Sequence, residues 1–384
     1  MNPDTLTGIL SDLVSIPSVN PMGRGDSGPP FGEAGVADYV ASFLRRCGID
    51  VEVEDVLPGR PNVIGFLDSG ASATLMLEAH MDTVRADAMT ISPFTPVIRE
   101  GRLHGRGACD TKGSLAAFLH ALCTAATAGG GRPWNVVFVA AADEEYQFSG
   151  ARHAVARGLK ADMGIAGEPT GLAIVRAHKG VTRWKIAAAG LAAHSAYPER
   201  GDNAIYTMGH ILTRLEGYAE SLETAAAHPV LGRPSFSVGV IGGGEAVNIV
   251  PDRCVIEVDR RTLPGESTEK ILDDVRRVLG EVPGWTFEPP HVDVRGMDVS
   301  AESPVVGCLA AAVREVTGSV SIEAAHYATD AGMYNAAGIP TVVFGPGDIA
   351  RAHTADEWVE LESVHNASSI IRRLIGATPH IPHD

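Results

Sequence analysis

The amino-acid sequence predicts an α/β protein with a central sheet, helices on both of its faces, and an inserted β-α-β-β-α-β unit. Apolar runs that end in polar residues alternate with helical segments in the first and last parts of the chain. This alternation is typical of a sheet that is covered by helices on both faces. The middle of the chain has a different order of elements, which predicts the inserted unit.

The first part of the chain alternates between helical and extended patterns. Apolar residues recur at helical spacing in "EAGVADYVASFLRRCG", which predicts a helix, while "VEVEDV" alternates as a strand does. The runs "TLMLEAHMDTV" and "WNVVFVAAADEE" are typical of buried strands, and "KGSLAAFLHALCTAAT" predicts a helix between them. A further short strand is predicted in "ADMGIAGEPT".

The middle of the chain predicts a ferredoxin-like unit. Its strands are predicted in "KGVTRWKIAAAG", "SFSVGVIGGG", "CVIEVDRRTL" and "TFEPPHVDV", and its helices in "NAIYTMGHILTRLEGYAESLE" and "STEKILDDVRRVLGE". We place this domain at 178–293, inserted into a discontinuous domain made of 1–177 and 294–384. The α/β pattern resumes after it and ends in the helical segment "LESVHNASSIIRRLIG".

Composition excludes several classes of function. The chain has 384 residues, enough for two domains, and a formal net charge of −16, which argues against nucleic acid and anionic membranes as partners. No basic region precedes an apolar stretch at the start of the sequence, and no apolar run is long enough to span a bilayer. We therefore expect a cytoplasmic protein.

Two further features carry expectations about local structure. The five cysteines are odd in number and scattered, with no Cys-x-x-Cys pair, which predicts free thiols in a reducing cytosol. The Gly- and Pro-rich stretch "NPMGRGDSGPPFGE" predicts a surface loop.

Histidines and carboxylates follow successive predicted strands. Ligands of open α/β sheets bind at the carboxyl ends of the strands, where these side chains are expected to meet. A histidine and carboxylate set of this kind suits Zn²⁺ or a similar divalent ion, and a pair of ions needs a bridging carboxylate. The residues concerned are His80, Asp82, Asp110, Asp143, Glu144, Glu145, Glu168 and His353.

Each of these residues also has an alternative in which it only stabilises the fold. A single histidine at a strand end is commonly a hydrogen-bonded structural residue. Asp110 would equally suit a turn or a helix N-cap, and Glu168 before a proline would suit a solvated loop. Their joint occurrence at successive strand ends favours the metal site.

Six motifs occur in an order that resembles one enzyme family: "HMDTV", "GRGACDTKG", "DEE", "GEPT", "AAHSAYPERGDNAI" and "GPG…AHTADE". With them, nearly the whole chain resembles the family of acetylornithine deacetylases, succinyl-diaminopimelate desuccinylases and carboxypeptidase G enzymes, which are dinuclear zinc amidohydrolases. The resemblance implies a zinc-exopeptidase-like domain with a mixed central sheet, an inserted domain that serves as lid and dimerisation domain, and a homodimer.

The resemblance also implies a set of metal ligands. His80 and Glu168 would bind one ion, Glu145 and His353 would bind the other, and Asp110 would bridge them. Each subunit would hold two Zn²⁺ ions, with Co²⁺ as a possible substitute.

Two carboxylates beside the ligands are expected to have separate roles. Asp82 lies two residues beyond His80, on the same face of a strand, where it can orient the imidazole. Glu144 would be the general base, which takes a proton from the attacking water and returns it to the leaving amine. Asp143 has no assigned role, and a structural or solvated position is expected for it.

The resemblance assigns further residues to the substrate. His194 would polarise the scissile carbonyl, often across a dimer interface, although alone it would suit a turn. Asn248 and Arg261 match positions near the substrate, and arginine suits carboxylate recognition; a salt-bridged edge-strand residue is the alternative for Arg261. Thr329 also matches a substrate motif, although capping of the following helix is favoured for it and for Asp330.

The expected reaction is hydrolysis of the amide of a small-molecule N-acyl amino acid. The segments "GEPTGLAIVRAHKG" and "GPGDIARAHTADEWVEL" most resemble the acetylornithine deacetylase branch, which releases ornithine and acetate and belongs to arginine biosynthesis. The desuccinylase branch usually has an Arg-Arg-Gly-type sequence where this chain has "AHKG", so it is the alternative, together with a carboxypeptidase or dipeptidase of the same mechanism. A non-catalytic scaffold is disfavoured because every expected ligand and the base are present.

Overall fold

The computed structural model describes residues 5–128 and 132–378, and the chain divides into two compact units. The larger unit runs as far as Arg176 and resumes at Asp298–Ala324 and again from Thr329. The smaller unit consists of Ala177–Met297 and Ala325–Ala328. Within the described ranges, no helix combines the length and the apolar character that crossing a membrane requires.

The helices fall mostly where apolar residues recur at helical spacing. In chain order they are α1 (Leu6–Ser15), α2 (Ala34–Arg46), α3 (Lys112–Thr127), α4 (Ser149–Ala156), α5 (Ala204–Glu223), α6 (Thr268–Leu279), α7 (Pro304–Thr317), α8 (Ala331–Ala336) and α9 (Leu361–Gly376). Short 3₁₀ turns lie at Pro198–Arg200 and Ile349–Arg351.

The strands alternate with these helices along the chain. They are β1 (Asp50–Leu57), β2 (Arg60–Leu67), β3 (Thr74–His80), β4 (Val97–Arg99), β5 (Arg102–His104), β6 (Asn135–Ala141), β7 (Met163–Ala166), β8 (Ile174–His178), β9 (Gly180–Ala189), β10 (Ala193–His194), β11 (Ser235–Gly243), β12 (Ile249–Val250), β13 (Arg253–Thr262), β14 (Trp285–Phe287), β15 (Val292–Val294), β16 (Met297–Asp298), β17 (Ile322–Ala325), β18 (Thr341–Val343) and β19 (Trp358–Glu360).

The central sheet is mixed, as predicted. Its strand order is β1-β2-β6-β3-β7-β18-β8-β16, and β17 pairs with β8. Strands β6, β3, β7 and β18 run parallel to one another, whereas the pairs β1–β2, β2–β6 and β18–β8 are antiparallel. The four parallel strands end at the same edge of the sheet, so the residues that follow them can meet there.

Helices cover both faces of this sheet, which confirms the predicted fold class. Strand β3 shows why: Leu75, Leu77 and Ala79 lie in a core cluster with α1, α2, α3, α7 and α9, whereas Met76 packs on the other face with residues of α4 and α8. Because alternate side chains are buried on opposite faces, the strand is apolar along most of its length.

Helix α3 begins two residues after Asp110 and is packed tightly at its start. An added Cβ at Gly113 would lie 2.8 Å from the main-chain oxygen of Ala108, so this turn requires glycine. Further along, His120 Nδ1 lies 2.8 Å from Ser368 Oγ of α9. Helix α3 therefore fixes one end of the loop that carries Asp110.

A small antiparallel sheet, which the sequence did not predict, holds the same loop from its other end. Its order is β19-β5-β4, and Leu103 of β5 pairs with Val359 of β19. The pairing brings the residues that follow β5 next to those that precede β19. Gly105 accordingly donates a main-chain hydrogen bond to Glu357 O at 3.0 Å.

The smaller unit contains an antiparallel sheet with the order β11-β13-β9-β14, and β15 also pairs with β9. Its core joins Trp184, Ile186 and Val258 to apolar residues of α5 and α6. We expected a single last strand in "TFEPPHVDV", and this was wrong: β14 and β15 are separate. The two prolines between them have no main-chain N–H to continue a ladder.

One expectation about local structure was wrong, and another was right except at the two ends of a loop. Cys47 and Cys123 form a disulfide that joins the end of α2 to α3, with Cα atoms 5.5 Å apart, whereas Cys109, Cys254 and Cys308 are free. The cysteines could not be paired from their spacing, because 76 residues separate the two partners. The Gly- and Pro-rich loop lies largely at the surface, as predicted, but its two ends are buried, since Asn20 and Glu33 are both 0% exposed.

Candidate metal centre

Five side chains form two overlapping groups of potential metal ligands in the larger unit. One group contains His80, Asp110 and Glu168, and the other contains Asp110, Glu145 and His353. Within each group the ligand atoms lie within 4.8 Å of one another. The structure thus brings together the five residues that the sequence singled out as ligands.

Asp110 is the residue that the two groups share, and its two oxygens face different histidines. Oδ1 lies 3.2 Å from His80 Nε2, and Oδ2 lies 3.1 Å from His353 Nε2. His80 Nε2 is also 3.9 Å from Glu168 Oε1, and His353 Nε2 is 3.3 Å from Glu145 Oε2. This is the arrangement expected of a bridging carboxylate.

The parallel strands bring most of these residues together. His80 is the last residue of β3, Glu168 follows β7, and Glu145 follows β6. His353 lies further from its strand, after the 3₁₀ turn Ile349–Arg351, and has a positive φ of 61°. Three of the five positions thus depend directly on the sheet, and the other two depend on loops.

Glu357 fixes the loop that carries Asp110, and sequence reasoning missed it. Its Oε1 accepts hydrogen bonds from the main-chain N–H groups of Cys109 and Asp110, at 2.9 and 3.0 Å. Its Oε2 accepts from Gly107 N at 3.1 Å and from Arg106 Nη1 at 2.5 Å. The only signal was its place at the end of the quoted motif "AHTADE".

Asp82 connects His80 to the turn that follows β6. His80 Nδ1 lies 3.0 Å from the main-chain oxygen of Asp82 and 3.4 Å from its Oδ1. The same carboxylate accepts from the main-chain N–H groups of Glu144 and Glu145, both at 3.1 Å. Asp82 therefore positions the two glutamates as well as the imidazole.

Asp143, which had no assigned role, is a buried structural residue rather than a solvated one. It is 1% exposed and has a positive φ of 67°. Its Oδ2 accepts from Ser149 Oγ at 2.5 Å, and its Oδ1 lies 3.0 Å from Arg60 Nη1. The three adjacent acids are thus separated: Asp143 faces Arg60, and the next two residues lie at the candidate centre.

Both histidines are more basic than usual. Burial would lower the pKa of His80, but hydrogen bonds to Asp110 and Asp82 and the charges of nearby glutamates raise it well above its usual value. Hydrogen bonds to Asp110 and Glu145 raise the pKa of His353 to about 10. The imidazoles are therefore surrounded by more negative charge than they can neutralise.

The pKa values of the neighbouring carboxyl groups are also shifted by this excess of negative charge. Burial and the charge of Glu168 raise the pKa of Glu144, and burial and Asp110 raise the pKa values of Glu145 and Glu168. Although burial opposes it, hydrogen bonds from His353 and His80 hold the pKa of Asp110 well below its usual value. Asp110 therefore keeps its charge most readily.

The donor set fits two divalent cations. Its atoms are imidazole nitrogens and carboxylate oxygens, which suit Zn²⁺ and related ions. Five buried or nearly buried carboxylates accompany two imidazoles here: Asp82, Asp110, Glu144, Glu145 and Glu168. A pair of cations would offset the excess of negative charge that the shifted pKa values indicate.

Two of the predicted substrate residues lie together in the smaller unit. His194 in β10 pairs with Ile249 in β12, and Ser195 N donates to Asn248 O at 3.0 Å. His194 and Asn248 are both exposed. Ala196 N donates to His194 Nδ1 at 3.0 Å, which places the proton of the neutral imidazole on Nε2.

The other two predicted substrate residues already have partners in the protein. Arg261 Nε donates to Asp259 Oδ1 at 2.8 Å, as in the salt-bridged alternative, but β13 lies between β11 and β9 and is not an edge strand. Thr329 is 1% exposed, and its Oγ1 accepts from Ala331 N at 3.2 Å, at the start of α8 as expected. The capping expected of Asp330 was wrong, because this N-cap residue makes no side-chain hydrogen bond to the helix. The roles of Arg261 and Thr329 toward a substrate stay predictions.

Comparison with known proteins identifies the family. Residues 76–377 match the model of peptidase family M20/M25/M40, which covers more than half of the chain. The chain belongs to this family. Membership in the M20 family confirms the sequence-based resemblance and makes the protein a metal-dependent hydrolase of the amidohydrolase and peptidase type.

Curated relatives cover nearly the same length as the chain. It is 34% identical over 355 residues to the acetylornithine deacetylase of Myxococcus xanthus, covering 88% of this chain and 90% of the relative. It is 31% identical over 383 residues to the acetylornithine deacetylase of Proteus mirabilis, covering 97% and 96% of the two chains.

Solved structures of the M20 family share the fold. A metallo-carboxypeptidase from Sulfolobus solfataricus has a TM-score of 0.80 at 19% identity, with 99% and 100% of the two chains covered. A dinuclear metal-binding peptidase from Bacillus subtilis has a TM-score of 0.67 at 17% identity, with 96% of each chain covered.

Proposed function

We propose that this protein deacetylates N-acetylornithine, releasing ornithine and acetate, and that it uses two Zn²⁺ ions per subunit for which Co²⁺ can substitute. The observation that carries the proposal is Asp110, whose two oxygens each face a different histidine. The choice of substrate is supported by the curated relatives, which are named acetylornithine deacetylases.

His80 and Glu168 would hold one ion, and Glu145 and His353 would hold the other, with Asp110 between them. Bound there, the ions would act as Lewis acids that polarise the scissile carbonyl. The hydrogen bonds that Glu357 accepts from the Asp110 loop would keep the bridging carboxylate in place.

Glu144 is proposed as the general base. It is 8% exposed, and its Oε2 lies 3.9 Å from His80 Nε2, beside the ligands but outside both ligand groups. Burial raises its pKa, which brings the carboxyl group closer to the pH at which it can both accept and return a proton. It would take a proton from the attacking water and deliver it to the leaving amine.

His194 is proposed to stabilise the negative charge that develops on the carbonyl oxygen. Its Nε2–H is a suitable donor because Nδ1 is already an acceptor for Ala196 N. Asn248, Arg261 and Thr329 are proposed to contact the substrate, with the Arg261 guanidinium recognising its carboxylate. Arg261 would then have to share its charge with Asp259.

We also propose that the smaller unit forms the interface of a homodimer and that it acts as a lid. Strand β11 is at the edge of its sheet, and Val240 and Ile241 on it are 60% and 56% exposed. Ile205 and Tyr206 of α5 are 42% and 73% exposed. Exposed apolar residues beside an open sheet edge favour association with a second copy. A cytoplasmic place in arginine biosynthesis would follow from the proposed substrate.

The test is a substrate panel run with added Zn²⁺ and with added Co²⁺. It contains N-acetylornithine, N-succinyl-diaminopimelate, other N-acyl amino acids and dipeptides, and ninhydrin detects the released amine. We expect the highest kcat/KM for N-acetylornithine. A preference for the succinylated compound or for dipeptides would support the desuccinylase or peptidase alternative instead, and metal-loaded protein that cleaves none of them would overturn the proposal.

A further inference from the structure

Residues that belong to neither ligand group fix the conformation of the turn after β6. Asp143 begins this turn with a positive φ of 67°, a conformation that costs free energy for a residue with a side chain. Its main-chain oxygen accepts from Phe148 N at 2.7 Å, and its main-chain N–H donates to Glu33 Oε1 at 3.0 Å. Such a conformation persists only when its surroundings fix it.

Asn20 links this turn to Asp82. It is 0% exposed, and its Nδ2 donates to Asp82 Oδ2 at 2.7 Å and to Asp143 Oδ1 at 2.9 Å. Its Oδ1 accepts from Met22 N at 2.8 Å. One amide therefore joins two buried carboxylates that would otherwise repel each other.

Arg60 supplies the positive charge on the other side of Asp143. It makes a two-pronged contact with Glu33, with Nε 2.7 Å from Oε2 and Nη2 2.6 Å from Oε1, and its Nη1 lies 3.0 Å from Asp143 Oδ1. Glu33 and Asp143 are 0% and 1% exposed. Their attraction to the guanidinium is thus little screened by water, and the geometry of the contact is fixed.

We propose that Asn20 and Arg60 are positioning residues that hold Asp143 and Asp82 so that the turn presents Glu144 and Glu145 to the metal centre. The proposal deepens the proposed function and rests on the roles assigned there to the two glutamates. Neither Asn20 nor Arg60 belongs to a ligand group. They act through Asp143 and through Asp82, whose carboxylate accepts hydrogen bonds from the main-chain N–H groups of Glu144 and Glu145.

The test uses the full-length protein loaded with Co²⁺, whose visible absorption reports coordination geometry without any turnover. Asn20→Asp keeps the size of the side chain and the acceptor for Met22 N but replaces the amide donor with a carboxylate oxygen. We expect its Co²⁺ spectrum to shift and its kcat to fall about 10–100-fold, with a smaller change in KM, because the turn is displaced.

The reciprocal double variant Asn20→Asp/Asp143→Asn supplies a rescue. It restores one donor and one acceptor at this contact with the direction of the hydrogen bond reversed. We expect the Co²⁺ spectrum to return toward that of the wild type and part of the lost kcat to be recovered. The part of the loss that the double variant does not recover measures the contacts of Asn20 with Asp82 and of Asp143 with Arg60, which this exchange does not restore.

Asn335→Asp is the matched control, because the amide of Asn335 donates to the main-chain oxygens of Ala331 and Thr341. It should leave the Co²⁺ spectrum and kcat unchanged even if the protein unfolds at a lower temperature. If Asn20→Asp does not fold, Asn20→Ala removes the same donors and should shift the spectrum too.

An unchanged spectrum and kcat in the Asn20 variants would overturn the positioning role. Failure of the proposed function would be seen differently, as a wild type that binds Co²⁺ but cleaves no member of the substrate panel. The spectral comparison between variants would still test Asn20 in that case.

Discussion

The candidate metal centre and the His194 segment differ in how the protein supports them. Around the centre, Asp82 and Glu357 are 0% exposed, and each accepts hydrogen bonds from the main chain of ligand-bearing loops. His194, in the two-residue strand β10, is exposed; Ala196 N donates to its Nδ1, and the ring centroid of Tyr197 lies 6.4 Å from that of the imidazole. The larger unit preorganises the candidate centre through these buried contacts, whereas the side chain of His194 is exposed and its contacts are local.

This difference makes the centre sensitive to single changes in several loops. The largest effect is expected from Asp110→Ala, which removes the residue common to both ligand groups. We expect the variant to lose most of both ions and all measurable hydrolysis, and elemental analysis after gel filtration checks this. Retention of about two equivalents of metal would contradict the bridging assignment.

Glu144→Gln separates the proton carrier from the ligands around it. The amide keeps the shape of the side chain but cannot accept the proton, so kcat should fall about 10²–10⁴-fold while the metal content stays that of the wild type. Glu145→Gln is the matched comparison, and it should weaken metal binding instead. Near wild-type turnover of metal-loaded Glu144→Gln would remove Glu144 from the role of base.

His194→Ala tests the proposed role of the exposed His194 side chain. We expect normal metal content, because His194 is in neither ligand group, and a loss of about 10²–10³-fold in kcat, the usual effect of removing one oxyanion donor.

Mixing His194→Ala with Glu144→Gln subunits asks whether His194 serves a neighbouring subunit. In a mixed dimer, one active site would contain both intact groups and the other neither, so activity should return after subunit exchange. A dead mixture in which exchange has been demonstrated would show that His194 acts within its own subunit, and a monomer at assay concentration would exclude the arrangement.

The smallest effect on activity is expected from the disulfide. Cys47→Ser opens a cross-link between residues 76 apart, which should cost about 2–4 kcal/mol of unfolding free energy. The melting temperature should fall, and a thiol reductant should lower it in the wild type only. We expect kcat to stay unchanged, because the core of the larger unit holds α3 in place. A parallel loss of kcat would show that the cross-link also positions the Asp110 loop.

The sequence predicted the mixed sheet and brought attention to the residues that meet at the edge of its parallel strands. His80, Glu145 and Glu168 could be found in this way because each follows an apolar run whose end is readable in the sequence. The bridging role of Asp110 came from the family resemblance, and that role is still to be tested.

The supports of the centre could not be found in this way. Asn20 contacts Asp143 across 123 positions of sequence, and Glu357 contacts Asp110 across 247. A Gly- and Pro-rich stretch predicts solvated polar residues. The burial of Asn20 and Glu33 depends instead on a tertiary arrangement that local sequence patterns do not encode. The small sheet of β19, β5 and β4 was missed because its strands are only three residues long, which is too short for a readable alternation of apolar and polar residues.

The division of the larger unit into separate stretches of chain has a consequence during synthesis on the ribosome. When Arg176 emerges, the chain has not yet supplied α9, which packs on α3, or His353 and Glu357. The intervening residues Ala177–Met297 contain the core of the smaller unit and can fold during this interval. A nascent chain can therefore gather four of the five candidate ligand residues early, but it must be almost completely translated before the remaining histidine, His353, can join them.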